Sequence, residues 1–174
     1  MRRVNVKGTS GSGKSTFARE LARRLDLPYV ELDAIHWGAP NWIEPSAEDF
    51  RARVRETMDG LPEGWVIDGN YEGKLDDLVL GEADTIVWLD LPFAVKMRRL
   101  WRRTVERIGG RTELWGGNRE TWRGAFWGRE SLFWWMVKTH LRHKRQWPGR
   151  FDGDPRLVRL RSVEEARQWL DTTS

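Results

Sequence analysis

Cysteine is absent from the 174-residue chain. That excludes a disulfide framework, a zinc–thiolate site and a thiol nucleophile, and it fits a cytoplasmic protein. Long apolar runs are missing as well. The longest, Leu132-Phe133-Trp134-Trp135-Met136-Val137, is far shorter than a bilayer crossing requires, so no membrane partner is expected. The chain has no internal repeat and no low-complexity tract. A strand pattern is already under way at Val4, so no leader peptide is expected ahead of the fold. Tyrosine occurs only twice, against twelve tryptophans, a skew that packing or function has to absorb. Most of the tryptophans read as packing residues; Trp134 and Trp135, for example, share a helical pattern with Phe133, Val137 and Leu141.

Charge is present but unevenly placed. The net charge of +4 conceals a segment from Lys96 to Arg150 with fifteen Lys and Arg against four Glu, a local balance of +11, and the remainder therefore carries −7. A basic segment inside an otherwise acidic chain suggests a polyanionic partner, either a nucleoside triphosphate or a nucleic acid.

The strongest pattern lies near the N-terminus, where Gly8-Thr9-Ser10-Gly11-Ser12-Gly13-Lys14-Ser15-Thr16 fits G-x-x-x-x-G-K-[ST]. Val4 and Val6 alternate ahead of it as a strand, and Phe17, Ala18, Leu21, Ala22 and Leu25 follow at helical spacing. The stretch is thus a strand–loop–helix junction. Glycines allow successive backbone N–H groups to face one concavity, and the helix N-terminus adds unpaired donors and partial positive charge. Lys14 can reach the β- and γ-phosphates of ATP, and the Ser15 hydroxyl can ligate Mg2+.

Beyond it, Tyr29–Asp33 reads as a second strand, and Ser46 as the N-cap of a helix carrying Phe50, Val54 and Met58. Trp65–Asp68 and Ala83–Leu91 read as strands, Phe93 to about Ile108 as a long helix, and Glu130–Gln146 as another. Arg156–Arg161 is the last strand, and Ser162-Val163-Glu164-Glu165 a capping box. Alternating strands and helices, with strands too apolar to be half-exposed, predict an α/β fold with a parallel sheet covered on both faces. Ligands of such sheets bind beyond the carboxyl ends of the strands. Asp33, Asp68 and Asp90 each fall at such an end; Asp90 can equally be a metal-supporting or a purely local residue.

Together GTSGSGKST, ELDAIHW, WVIDGNY and TIVWLDLP resemble the adenylate-kinase-related group of small P-loop kinases, over nearly the full length. LWGGNRE and WWMVKTHLR fit its branch labelled topology modulation protein, although no residue supports action on DNA topology. The resemblance implies a P-loop NTPase three-layer fold with a five-stranded parallel sheet, a single domain over residues 1–174 and an arginine-rich lid at about 108–128. It also implies transfer of the γ-phosphoryl group of ATP to a small acceptor.

Roles follow from that resemblance. Lys14 is expected to be catalytic, and the loop from Gly8 to Thr16 to hold ATP. Glu31-Leu32-Asp33 resembles the acid-x-acid motif of shikimate-kinase-like enzymes, which gives Asp33 the acceptor hydroxyl and Glu31 a water-mediated place near Mg2+. Asp68 matches the aspartate of the adenylate-kinase Asp-Gly turn and is the better candidate for metal-bound water. Arg99 and Arg103 are expected at the nucleotide, and Arg119 with Arg123, four apart, are expected to share a face and act on the transferring phosphate. Gly109-Gly110 and Gly116-Gly117 are expected to be lid hinges. His36, Trp37, Asn70 and Tyr71 are assigned with Asp33 to the acceptor pocket, His36 chiefly as packing. Adenylate kinases place an arginine just after the Asp-Gly turn; here the turn reads Asp68-Gly69-Asn70-Tyr71-Glu72, so AMP is expected to be a poor acceptor. The competing reading is a nucleic-acid-binding P-loop ATPase that uses residues 96–150 as a stacking surface.

Overall fold

A computed structural model of the chain describes residues 1–128 and 131–173, so the expected helix start at Glu130 lies outside the described residues. The strands are β1 (Arg3–Lys7), β2 (Tyr29–Glu31), β3 (Trp65–Asp68), β4 (Thr85–Leu89) and β5 (Leu157–Leu160). All pairings are parallel, in the order β2-β3-β1-β4-β5, so the strand that feeds the glycine-rich loop is central. Parallel neighbours need crossovers, and these carry the helices. They are α1 (Lys14–Leu25), α2 (Leu32–His36), α3 (Ala47–Asp59), α4 (Glu72–Leu75), α5 (Leu78–Glu82), α6 (Phe93–Gly109), α7 (Trp122–Phe126), α8 (Leu132–Arg150) and α9 (Val163–Asp171).

Strand alternation divides the core into two. Val4, Val6, Val66, Val87 and Leu89 face Phe17, Ala18 and Leu21 of α1 and Leu170 of α9. On the other face, Ile67, Ile86 and Trp88 pack with Phe50, Val54 and Met58 of α3 and Trp147 of α8. The helices start where their caps dictate. The hydroxyls of Ser46, Ser131 and Ser162 accept from the backbone N–H three residues on, at Asp49, Trp134 and Glu165, supplying partners that the first helical turn lacks. Glu165 reaches back to Arg161 N–H, one residue ahead of the cap.

The strands read at Ala83–Leu91 and Arg156–Arg161 are shorter, Thr85–Leu89 and Leu157–Leu160, and two further boundaries change the reading. β2 ends at Glu31, and Leu32 and Asp33 already belong to α2, because Leu32 turns inward to become fully buried against the α3 side of the core. Asp33 therefore sits in the first turn of a short helix and not at a strand end. α8 continues through Pro148 to Arg150, where the expectation stopped at Gln146; the buried Trp147 anchors its last turn to Trp88, their ring centroids 5.3 Å apart.

Beneath β1, the buried imidazole of His143 stacks on Trp147 with centroids 3.8 Å apart. Burial pushes its pKa down from 6.5 to about 4, with Glu72 opposing and Arg142, Lys7 and Lys14 reinforcing the shift. The unfolded chain then takes up the proton first. Stability supplied by the neutral ring is complete above about pH 6.5 and is lost progressively as the pH falls toward about 4, by up to about 3 kcal/mol. Urea denaturation across that interval should show this slope in the native protein and a flatter one in His143→Phe.

Candidate active site

The glycine-rich loop leaves β1 at Gly8 and enters α1 at Lys14. Gly11 is required on two counts: its φ is 78°, and a Cβ there would lie 2.2 Å from the Lys96 carbonyl oxygen of α6. Among the described residues, the N–H groups of Gly11, Gly13, Lys14 and Ser15 donate to no protein acceptor. The hydroxyls of Thr9 and Ser12 are likewise buried without partners. Unspent donors at a helix N-terminus with Lys14 beside them form a phosphate cradle.

Side chains from elsewhere hold this loop without using up those donors. The Asn70 amide donates to Gly8 O at 2.6 Å and accepts from Gly8 N–H at 3.2 Å. Arg99 of α6 donates to Ser12 O at 3.2 Å. Asn70, expected in the acceptor pocket, thus clamps the loop with one donor and one acceptor of its amide. Arg99, expected at the nucleotide, lies against the glycine-rich loop.

Around the cradle stand three carboxylates. Glu31 accepts from Ser15 Oγ at 3.2 Å and from Arg19 at 3.1 Å. Asp68 is fully buried and accepts from Tyr29 Oη at 3.1 Å; burial raises its pKa, while Lys14 and a hydrogen bond from Ser15 oppose the rise. Asp33 Oδ1 accepts from Tyr71 Oη at 2.7 Å. Serine hydroxyl, Glu31 and Asp68 thus meet at the start of α1, and they fit a Mg2+ carried in on the phosphates of ATP. Among the described residues no group of three or more His, Asp or Glu side chains forms a ready-made cage. An ion held by one hydroxyl, phosphates and waters needs none.

Arg103 of α6 faces Glu120, Asp33 and Glu31; burial, reinforced by Arg107, lowers its pKa. Its Nε is buried without a partner. Glu120 shares this region: its Oε1 accepts from Arg107 at 2.8 Å and its Oε2 is buried and unpartnered. Arg103 thus carries an orphan donor and Glu120 an orphan acceptor.

The lid is docked. Asn118, itself buried, donates to Ala39 O at 2.9 Å, Trp115 O at 2.7 Å and Trp37 O at 3.3 Å, and it accepts from Trp42 N–H at 2.9 Å. Gly116 lies flat on the same loop; a Cβ would meet Ala39 O at 2.6 Å. Gly116 is accordingly a contact point, whereas a Cβ at Gly117, whose φ is 75°, would meet open space. Arg119 pairs with Glu113 across a single antiparallel bridge, and Arg123 sits in α7 beside the exposed Trp122 and Trp127. They do not share a helical face, because Thr121 caps a new helix between them. The cations that this fold brings toward the carboxylates are Lys14 at Asp68, Arg19 at Glu31, and Arg103, which faces Asp33 and Glu31, while Arg99 lies on the glycine-rich loop.

His36 is packed, as read from the sequence, within 5 Å of the rings of Trp37, Phe50 and Tyr71. Burial lowers its pKa, with Lys74 reinforcing, and its Nε2 lies 3.2 Å from Lys74 Nζ. Asp90 is local structure: Arg159 donates to its Oδ2 at 2.6 and 3.1 Å. Glu72 faces inward, 2.6 Å from the buried Lys7 Nζ at the end of β1, and not toward the acceptor. Asn118, Glu120 and the Lys7–Glu72 pair were missed in the sequence. LWGGNRE contained the first two, and a lysine closing a buried strand is the signal for the third.

No family model and no curated protein matches the chain. Solved structures do. A gluconokinase from Sinorhizobium meliloti 1021 is 21% identical with a TM-score of 0.55, and a sugar kinase from Janibacter sp. HTCC2649 is 21% identical with a TM-score of 0.56. In each case the likeness covers 98% of this chain and 91% of the other. The chain therefore has the P-loop kinase fold, as the glycine-rich loop and the sheet order already indicate.

Asn118→Ala should release the lid from the loop after α2 and leave buried carbonyls unpaired. Stability should fall by about 1–3 kcal/mol in chemical denaturation, and nucleotide-dependent turnover should drop more than the affinity for ATP.

Proposed function

We propose that the protein is an ATP-dependent phosphotransferase that moves the γ-phosphoryl group to a small polyhydroxylated acceptor. The observation that carries this reading is the convergence of a phosphate cradle with a tyrosine-oriented aspartate under a docked lid. The two solved structures, a gluconokinase and a sugar kinase, support it. The unpartnered donor of Arg103 and acceptor of Glu120 also support it, since hydroxyl groups can accept from an N–H and donate to a carboxylate. The finer resemblance to the topology modulation branch rests on sequence motifs, LWGGNRE and WWMVKTHLR among them, and the two solved structures do not support it.

Tyr71 occupies Asp33 Oδ1, which leaves Oδ2 for the acceptor. As the acceptor oxygen bonds to the γ-phosphorus, Asp33 takes the hydroxyl proton. The bond from phosphorus to the β–γ bridging oxygen breaks, and ADP departs with its electron pair. Lys14, the loop N–H groups, Arg99 and Arg103 oppose the charge that this transfer develops. Mg2+, when bound, neutralises phosphate charge; Ser15 would ligate it, and Glu31 and Asp68 would hold its waters.

The nucleic-acid reading draws less support. Much of the basic segment is turned inward or already engaged: Lys96 on His140, Arg99 on Ser12, Arg107 on Glu120, Arg119 on Glu113 and Arg150 on Asp77. AMP remains a poor acceptor in this proposal because the turn after β3 lacks arginine, but not because of Glu72, which Lys7 neutralises.

Asp33→Asn should keep ATP binding and lose phosphoryl transfer by about 10²-fold or more. ADP release with a panel of sugars, sugar acids and nucleoside monophosphates tests both claims. Unchanged turnover in Asp33→Asn overturns the assignment of the base. Release confined to AMP overturns the acceptor class.

A further inference from the structure

The segment from α6 to α8 leaves an aromatic surface that the kinase reading does not use. Trp127 is 82% exposed and Leu141 58%, while Trp101, Trp122, Trp134 and Trp135 are each about half exposed. The sequence expectation that Trp134 and Trp135 pack inward is corrected here. The surface is continuous: Phe126 stacks on Trp122 and on Phe133 with centroids 5.6 and 4.6 Å apart, and Trp101 meets Phe126 at 5.1 Å and Phe133 at 5.9 Å. Along α8 it opens into a groove of about 520 Å3 lined by Trp134, Val137, Lys138, Leu141, Arg142 and Arg145. A contiguous apolar patch rimmed by polar groups marks an interaction site.

The charge in that groove has one sign. α8 contains no Asp or Glu. Among the described residues its ion pair is Arg150 with Asp77, and Lys138, Arg142 and Arg145 have no carboxylate partner. Trp134, Lys138, Leu141 and Arg145 recur at the four- and three-residue spacing of a single helical face, so indole, aliphatic and cationic groups alternate along one line.

We propose that this face docks reversibly on the surface of a membrane rich in anionic phospholipid. Indoles and Leu141 enter the headgroup boundary, and Lys138, Arg142 and Arg145 meet lipid phosphates. A helix that lies on a bilayer does not need the length or unbroken apolarity of one that crosses it, so the absence of a spanning helix among the described residues is no obstacle. Two other occupants fit less well. A second copy placed symmetrically would set the same unpaired cations against themselves. A nucleic acid could stack on the indoles but would leave Val137 and Leu141 with nothing apolar to bury.

The test uses the purified full-length chain and vesicles of phosphatidylcholine alone or mixed with phosphatidylglycerol. Co-sedimentation with the anionic vesicles only is expected, weakening as salt is raised, together with quenching of tryptophan emission by brominated lipid. The triple variant Lys138→Glu/Arg142→Glu/Arg145→Glu and, separately, Trp134→Ser/Leu141→Ser should each weaken vesicle binding by at least about tenfold while leaving nucleotide turnover in solution unchanged. Arg142→Lys/Arg145→Lys should retain binding, which separates loss of charge from loss of fold. No binding to anionic vesicles overturns the proposal, as does equal binding to neutral ones. It is also overturned if the same variants instead abolish oligonucleotide binding, or dissociate a dimer seen by sedimentation velocity.

Discussion

A phosphate cradle works only if its N–H groups stay unspent, and the rest of the site is arranged around that constraint. One internal bond, from Ser12 N–H to Thr9 O at 3.1 Å, turns the loop between Gly8 and Ser15, while the N–H groups of Gly11, Gly13, Lys14 and Ser15 donate to no acceptor among the described residues. Further support comes from outside the loop. Asn70, from the turn after β3, grips Gly8 at both its carbonyl and its N–H, and Arg99, from α6, takes the Ser12 carbonyl. Lys96 presses its backbone oxygen so close to Gly11 that no side chain fits there. The neighbouring strand and the lid-bearing helix thus fix the loop, and a substitution in either would be felt at the phosphates.

The buried charges beneath the loop follow the same logic. Lys7 closes β1 inside the protein and meets Glu72 at 2.6 Å, just past the turn that carries Asn70. Burial pushes the Glu72 carboxyl up, but Lys7 opposes it and the group is held below the usual range, while burial pushes the Lys7 ammonium down against the pull of Glu72. Such a pair gives little net stability compared with a well-packed apolar replacement, while breaking it leaves a charge stranded. Its value here is registry. It ties the end of β1 to the start of α4, and so sets the distance between the phosphate cradle and the Tyr71–Asp33 pair, which follows from the same turn.

The sheet, its two-sided core and the cradle were legible because each rests on local patterns: alternation, helical spacing and a glycine motif with its flanks. Asp33 and Asp68 were also named from expected strand ends, and the resemblance to the acid-x-acid motif added Glu31; Asp33 proved to lie in the first turn of α2. What the sequence concealed was which group each polar side chain would choose. Asn70 and Glu72 lie in the same short turn as Tyr71, yet they point to Gly8 and Lys7, partners more than sixty residues away. Arg119 and Arg123 have helical spacing, and only the cap at Thr121 breaks it. Asn118 makes its bonds to a loop some eighty residues earlier, and no spacing rule reaches that far.

The tryptophan surplus finds its place when α8 is divided by face. Met136, His140, His143 and Trp147 are buried, at spacings of four, three and four. Trp134, Lys138, Leu141 and Arg145 run at the same spacings two residues earlier, which on an α-helix is a rotation of about 200°. One periodicity therefore supplies two opposed faces: the inner one packs Trp147 against Trp88 and Lys7, under the cradle, and the outer one presents indole and cation to the surroundings. A contiguous line of exposed indole, leucine and cation is what the proposed docking on an anionic bilayer would use, and it is carried on the same helix that packs Trp147 beneath the glycine-rich loop.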